Sequence, residues 1–111
     1  MTRAKDAIVR TWSATAGVAG AVTYSRYFEG TLLPQLRELP GFAGAYLLRR
    51  DLGEDGIVEL TAHTFWESAE AIRAFAGDDI TVAVVEPEAQ AMLVDFDRTA
   101  AHRSVAVDAL A

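Results

Sequence analysis

Residues 57–79, IVELTAHTFWESAEAIRAFAGDD, change their hydrophobic period once, at Ser68. That change limits the fold more than any other feature of the chain. Before it, Val58, Leu60, Ala62, Thr64 and Trp66 fall on one side by alternation, and Ile57, Glu59, Thr61, His63 and Phe65 fall on the other. The run is rich in β-branched and aromatic residues, which suit a pleated ribbon. After it, Ala69, Ile72, Phe75 and Ala76 recur at helical spacing. Ser68 can cap that helix, because its hydroxyl accepts from an otherwise orphan backbone N–H. Glu70 stands in the first turn, where the helix dipole favours an acid, and Gly77 can take the left-handed conformation that ends the helix. A strand that runs directly into a helix is the unit against which the rest must pack.

Taken in order, residues 6–14 (DAIVRTWSA) read as a first strand, with Ile8, Arg10 and Trp12 sharing one face. The following TAGVAGA has two glycines and little bulk, so it reads as a flexible loop, either a lid or a plain connector. Over residues 21–39, Tyr24, Phe28, Leu32, Leu36 and Leu39 recur at helical steps. Pro34 lies inside this run and predicts a kink or break, since it lacks a donor and crowds the carbonyl of Gly30. Residues 42–51 read as a second strand, with Gly44 marking a bulge or close approach. A polar turn over residues 52–56 predicts a hairpin to the third strand. Glu86, Pro87 and Glu88 look like a helix start, with Ala89, Met92 and Leu93 facing inward. Residues 96–107 read as a last strand, and the terminal ALA as loose.

The order β-α-β-β-α-(α)-β is that of an α+β, ferredoxin-like split βαβ: a four-stranded antiparallel sheet with its helices on one face. The length of 111 residues predicts one domain over 1–111. Hydrophobic residues make up 51% of the chain, enough for a core. A net charge of −6 argues against nucleic acid or an anionic membrane as partner, since both require a basic footprint. The absence of cysteine excludes disulfides and thiolate chemistry. The N-terminus lacks the apolar core of a signal peptide, and no apolar run approaches the ~20 residues of a membrane span, so a cytoplasmic protein is expected. No His, Asp or Glu cluster has metal-ligand spacing.

Helices on one side leave the other sheet face open. Strand three carries Ile57, His63 and Phe65 there with one charge, Glu59. In strand two, Phe42, Tyr46 and Leu48 form one apolar parity and Ala43, Ala45 and Leu47 the other. Strands apolar on both sides require cover on both. A homodimer through facing sheets is expected, with two-fold symmetry.

The runs LPGFAGAYLLRR, VELTAHTFWESAEAIRAFAGDD and AVVEPEAQAMLVDFD together resemble the antibiotic biosynthesis monooxygenase domain family. The motif with most weight is the strand ending Phe65, Trp66, Glu67, Ser68 at the start of a helix. The resemblance implies a dimeric α+β barrel and a substrate cavity between helices and sheet. It implies a small-molecule enzyme acting on planar aromatic or polyketide-type substrates, using O₂ without a metal or cofactor. Polyketide cyclisation or isomerisation by proton transfer, and non-catalytic ligand binding, are the alternatives. Haem-degrading relatives combine a first-strand asparagine, a tryptophan after the third strand and a helical histidine. Trp66 matches the tryptophan, but the chain has no asparagine and residues 68–76 have no histidine.

His63 is the candidate general base, because imidazole titrates near neutral pH. Tyr24 is the candidate hydrogen-bond donor to a substrate carbonyl, with Tyr27 beside it. Trp66, Phe28 and Phe75 are expected to line the cavity and pack a planar ring. Trp12 is the second candidate for stacking and is read with His63 and Glu59 on the dimer-facing side. His63 and Trp66 are three apart, so a regular strand sends them to opposite faces. His102, beside Arg103, is read as structural or exposed.

Overall fold

The structure, a computed structural model, describes residues 7–53 and 55–110. The first residue of the strand read over 6–14, Glu54 of the hairpin turn and Ala111 lie outside the described residues. Strand β1 (Ile8–Gly17) passes directly into helix α1 (Val18–Tyr27). The flexible loop expected over residues 15–21 is therefore corrected. Thr15, Ala16 and Gly17 pair with Glu59, Val58 and Ile57. The small side chains serve packing instead of mobility. A Cβ on Gly20 would lie 2.4 Å from the carbonyl oxygen of Met92, so this turn of α1 is pressed against backbone.

The long helix read over 21–39 starts earlier, at Val18, and has three parts. These are α1, a π turn (Phe28–Leu32) and α2 (Leu33–Arg37). The Leu33 N–H bonds the Phe28 carbonyl, five residues back, and backbone angles stay helical through the junction. Pro34 cannot donate to Gly30, and the disturbance expected from it takes the form of a widened turn just ahead of the proline.

Strands β2 (Phe42–Asp51) and β3 (Ile57–Trp66) and helix α3 (Ala69–Ala76) fall where the sequence places them. Ser68 Oγ accepts from the Ala71 N–H at 3.1 Å. Gly44 is a bulge: the register passes from Phe42 opposite Trp66 to Gly44 opposite Phe65, with φ at +143°. The bulge corrects the parity read for strand two. Phe42 joins Ala45 and Leu47 in packing on the helix-side core, while Tyr46 and Leu48 stay exposed on the other side.

Helix α4 (Pro87–Gln90) starts at the proline, buries Ala89 and leads into Met92 and Leu93, which pack on the core. The last strand read over 96–107 is instead two pieces, β4 (Asp95–Phe96) and β5 (Ala101–Ser104), both antiparallel to β1. Between them the chain leaves β1 and joins the 81–83 segment through a Val82–Thr99 bridge and an Ala100 N–H bond to the Thr81 carbonyl at 2.8 Å. The Trp12 indole N–H takes the Asp97 carbonyl at 2.8 Å, occupying the place where strand pairing is interrupted.

The sheet order is β2-β3-β1, with β4 and β5 beside β1. The helices cover one face. One core cluster there joins Ala16, Val58 and Leu60 to Tyr24 and Phe28, and a second joins Leu36, Trp66 and Ile72. This is the ferredoxin-like α+β arrangement, with its last strand broken.

Candidate functional site

Alternation along β1 and β3 sends Arg10, Trp12, Ala62 and Thr64 beneath the helices, where they form the floor of a cavity of about 40 Å³. Tyr24, Phe28, Leu32 and Leu36 come down from α1, the π turn and α2; Phe75 comes from α3 and Val84 from the segment before α4. The π turn thus supplies two lining residues, Phe28 and Leu32. The walls are mainly apolar and aromatic, with a few polar groups between them, as in small-molecule sites.

Tyr24 is 3% exposed. Its ring lies 6.0 Å from Trp12, 5.7 Å from Tyr27 and 6.3 Å from Phe28, centre to centre. Among the described residues its hydroxyl has no hydrogen-bond partner. Burial, then the neighbouring Tyr27, pushes its pKa well above the usual phenol range. Tyr24 therefore keeps its proton at any ordinary pH and can only donate to, or accept from, a ligand as a neutral phenol. Tyr27 packs behind it and does not line the cavity; its own pKa is raised by burial, then by Glu88 and Glu86.

Trp66 is fully buried and also stands behind the wall. Its ring stacks on Phe75 at 6.0 Å and its indole N–H donates to Thr64 Oγ1 at 2.8 Å. It holds two lining residues without reaching the cavity itself. Trp12 is corrected from the dimer-facing side: it lies on the helix side and lines the cavity, as Phe28 and Phe75 do. His63 stands on the opposite face of the sheet, between Thr11 of β1 and Tyr46 of β2, so the structure does not bring it to Tyr24. The alternation that separates it from Trp66 is obeyed.

One charged residue of the cavity had no role in the sequence reading, and His102 stands behind it. Arg10 is 5% exposed and lines the cavity. Its Nη1 donates to the Ile80 carbonyl and to His102 Nε2 at 3.0 Å, and its Nη2 to the Val82 carbonyl at 2.9 Å. The guanidinium carbon is 5.7 Å from the centre of the Phe75 ring. His102, read as structural or exposed, is half-buried and bonded to Arg10, and burial, then Arg10, lowers its pKa. Because arginine can only donate, Nε2 is the acceptor and neutral His102 carries its proton on Nδ1. The available signal was a charge on the face shared with Ile8 and Trp12. Among the described residues, no group of three His, Asp or Glu gathers at metal-ligand distance. No helix among them is long and apolar enough to cross a membrane.

The ferredoxin-like sheet defines a structural class, and solved structures of that class match nearly all of the chain. No family model matches the sequence, and no curated protein matches it. A Bacillus cereus protein assigned as an antibiotic biosynthesis monooxygenase superposes with a TM-score of 0.66 at 17% identity, over 95% of this chain and 96% of that one. A dimeric ferredoxin-like protein from an uncultured marine organism gives 0.58 at 6% identity, over 93% and 99%. A monooxygenase of Streptomyces coelicolor, solved with nanaomycin D bound, gives 0.56 at 20% identity, over 95% and 90%. The chain has the fold of these proteins, as the resemblance in its sequence implied.

Proposed function

We propose that the protein is a small-molecule enzyme of the monooxygenase kind, acting on a planar aromatic or polyketide-type substrate in the helix–sheet cavity. The observation that carries this reading is the Tyr24 hydroxyl: its ring packs among Trp12 and Phe28, and the hydroxyl has no protein partner among the described residues. Since no fully enclosed side-chain oxygen there lacks a partner, this hydroxyl keeps access to open space and is free to bond a ligand. In this role Tyr24 donates to a substrate carbonyl or phenolate oxygen, while Trp12, Phe28 and Phe75 pack the ring. Trp66 and Tyr27 support that wall from behind. A cavity of about 40 Å³ is smaller than a fused ring system, so binding requires Phe75, Val84 or the π turn to move outward.

The chemistry that the resemblance implies needs no external reductant. A ring methylene, once deprotonated, gives its electrons to O₂; one oxygen atom becomes the new carbonyl and the other leaves as water with the two substrate hydrogens. His63, on the far side of the sheet, has no path to this site within one chain. The likeness to a dimeric ferredoxin-like protein and the exposed Tyr46 and Leu48 support a homodimer through the open sheet faces.

Incubating the protein with an anthrone under ¹⁸O₂, without added metal or cofactor, tests the reading. The expected product is the quinone carrying one labelled oxygen, formed much more slowly by Tyr24→Phe. Conversion that proceeds equally under nitrogen would favour proton-transfer chemistry; no conversion of any planar substrate would sink the enzyme reading.

A further inference from the structure

Arg10 has more hydrogen-bonding capacity than the protein uses. A guanidinium has five N–H donors. Three meet acceptors: the carbonyls of Ile80 and Val82, and His102 Nε2. One on Nε and one on Nη2 meet none. Among the described residues, no side-chain nitrogen or oxygen that is fully shut off from solvent lacks a partner. The Nε–H therefore keeps access to open space, and Arg10 is one of the residues that line the cavity.

Among the described residues, the charge is uncompensated as well. The ion pairs among the described residues are Arg49 with Asp51, Arg50 with Glu59 and Arg73 with Glu70, all with exposed partners except the half-buried Glu59. None includes Arg10. Burial is the cause that lowers its pKa, yet a guanidinium remains a cation at any physiological pH. A buried cation is normally paired with a carboxylate. Here two carbonyls, a neutral imidazole and the Phe75 ring hold it in place and supply no negative charge. His102 reinforces this arrangement: its lone pair is committed to Arg10, and its lowered pKa keeps it neutral beside the cation.

We infer that Arg10 is the receptor for an anionic oxygen of the ligand, a phenolate, enolate or ring carboxylate. The site would then take planar ligands as anions in preference to neutral molecules of the same shape. The inference rests on the cavity being the ligand site and adds the charge of what binds there. Free N–H donors on a planar guanidinium suit the oxygens of a carboxylate or phenolate. Tyr24, on the opposite wall, would hold a neutral oxygen of the same ring.

The test compares anthracene-2-carboxylate with its neutral isostere anthracene-2-carboxamide. Affinities are measured by fluorescence for the unaltered protein, Arg10→Lys and Arg10→Met. The ¹⁵N-resolved Arg10 Nε–H signal and the Tyr24 ring signals are followed in the unaltered protein. The expected result is a preference for the carboxylate of roughly tenfold or more. That preference should be lost in Arg10→Met and reduced in Arg10→Lys, and only the carboxylate should shift the Nε–H signal. Arg10→Met also loses the bonds to residues 80 and 82; if it does not fold, the Nε–H shift decides. Equal affinities, with Tyr24 perturbed and the Nε–H unmoved, would overturn the role of Arg10 and leave the cavity reading standing. If neither ligand perturbs Tyr24, both fall.

Discussion

Tyr24 and His102 are the two residues whose protonation differs most usefully between the folded and unfolded chain. Burial raises the Tyr24 pKa, so above about pH 10 the unfolded phenol releases its proton while the folded one retains it. Stability is then fully present below pH 10 and falls as pH rises, by up to about 1.4 kcal/mol per pH unit for one group. Tyr27 acts in the same direction. Denaturant unfolding at pH 9–12 should show this decline, and Tyr24→Phe should flatten it. His102 has the opposite sign. Its folded pKa is lowered, so the unfolded imidazole takes a proton first as pH falls below about 6.5, and stability drops there. His102→Gln, which can still accept from Arg10, should reduce the loss between pH 7 and 5, and NMR titration should place His102 below an ordinary histidine. Of these residues, Tyr24 was legible from its helical spacing. The setting of Arg10 was not, because the carbonyls that hold it belong to residues 80 and 82, about seventy positions along the chain.

Among the elements, those whose signals are local were legible. The cap at Ser68, the stop at Gly77 and the alternation of β3 each depend on neighbours within a few residues, and all three stand in the structure. Ser68→Ala should cost about 1 kcal/mol in thermal or denaturant unfolding, the usual value of one cap. The TAGVAGA run misled for a physical reason: small residues signal freedom in a loop and close contact in a packed turn, and the sequence does not say which. Gly20→Ala tests the packed reading. Its new methyl would meet the Met92 carbonyl oxygen, a backbone atom, so a loss of about 1–3 kcal/mol is expected. A flexible loop there would tolerate alanine or gain from it. The break in the last strand was illegible because the contacts found there, Trp12 with Asp97 and residues 99–100 with 81–82, join segments distant in sequence.

At the scale of the whole molecule, the two faces of the sheet do different things. The helix side buries Trp66, Leu60 and Val58 and holds the cavity. The open side leaves Tyr46 and Leu48 45% and 46% exposed, beside polar contacts such as Arg50 with Glu59 and Ser13 with Thr61. Apolar side chains on an uncovered sheet face suit a second copy of the chain. For the proposed homodimer, Leu48→Glu should shift the protein toward monomer in sedimentation velocity while leaving its fold intact; a parent protein that is monomeric at high concentration would contradict that proposal. Tyr46 and His63 are cross-strand neighbours on this face, so a base role for His63 would require the site to lie there instead.

The location of the ligand is therefore the most direct test. A crystal structure of the protein with a polyhydroxylated anthrone or a similar planar polyketide should show density between the helices and the sheet. The ligand should touch Trp12 and Phe75, with one oxygen within hydrogen-bond reach of the Tyr24 hydroxyl. Density on the open sheet face against His63, with the cavity unchanged at about 40 Å³, would contradict the account.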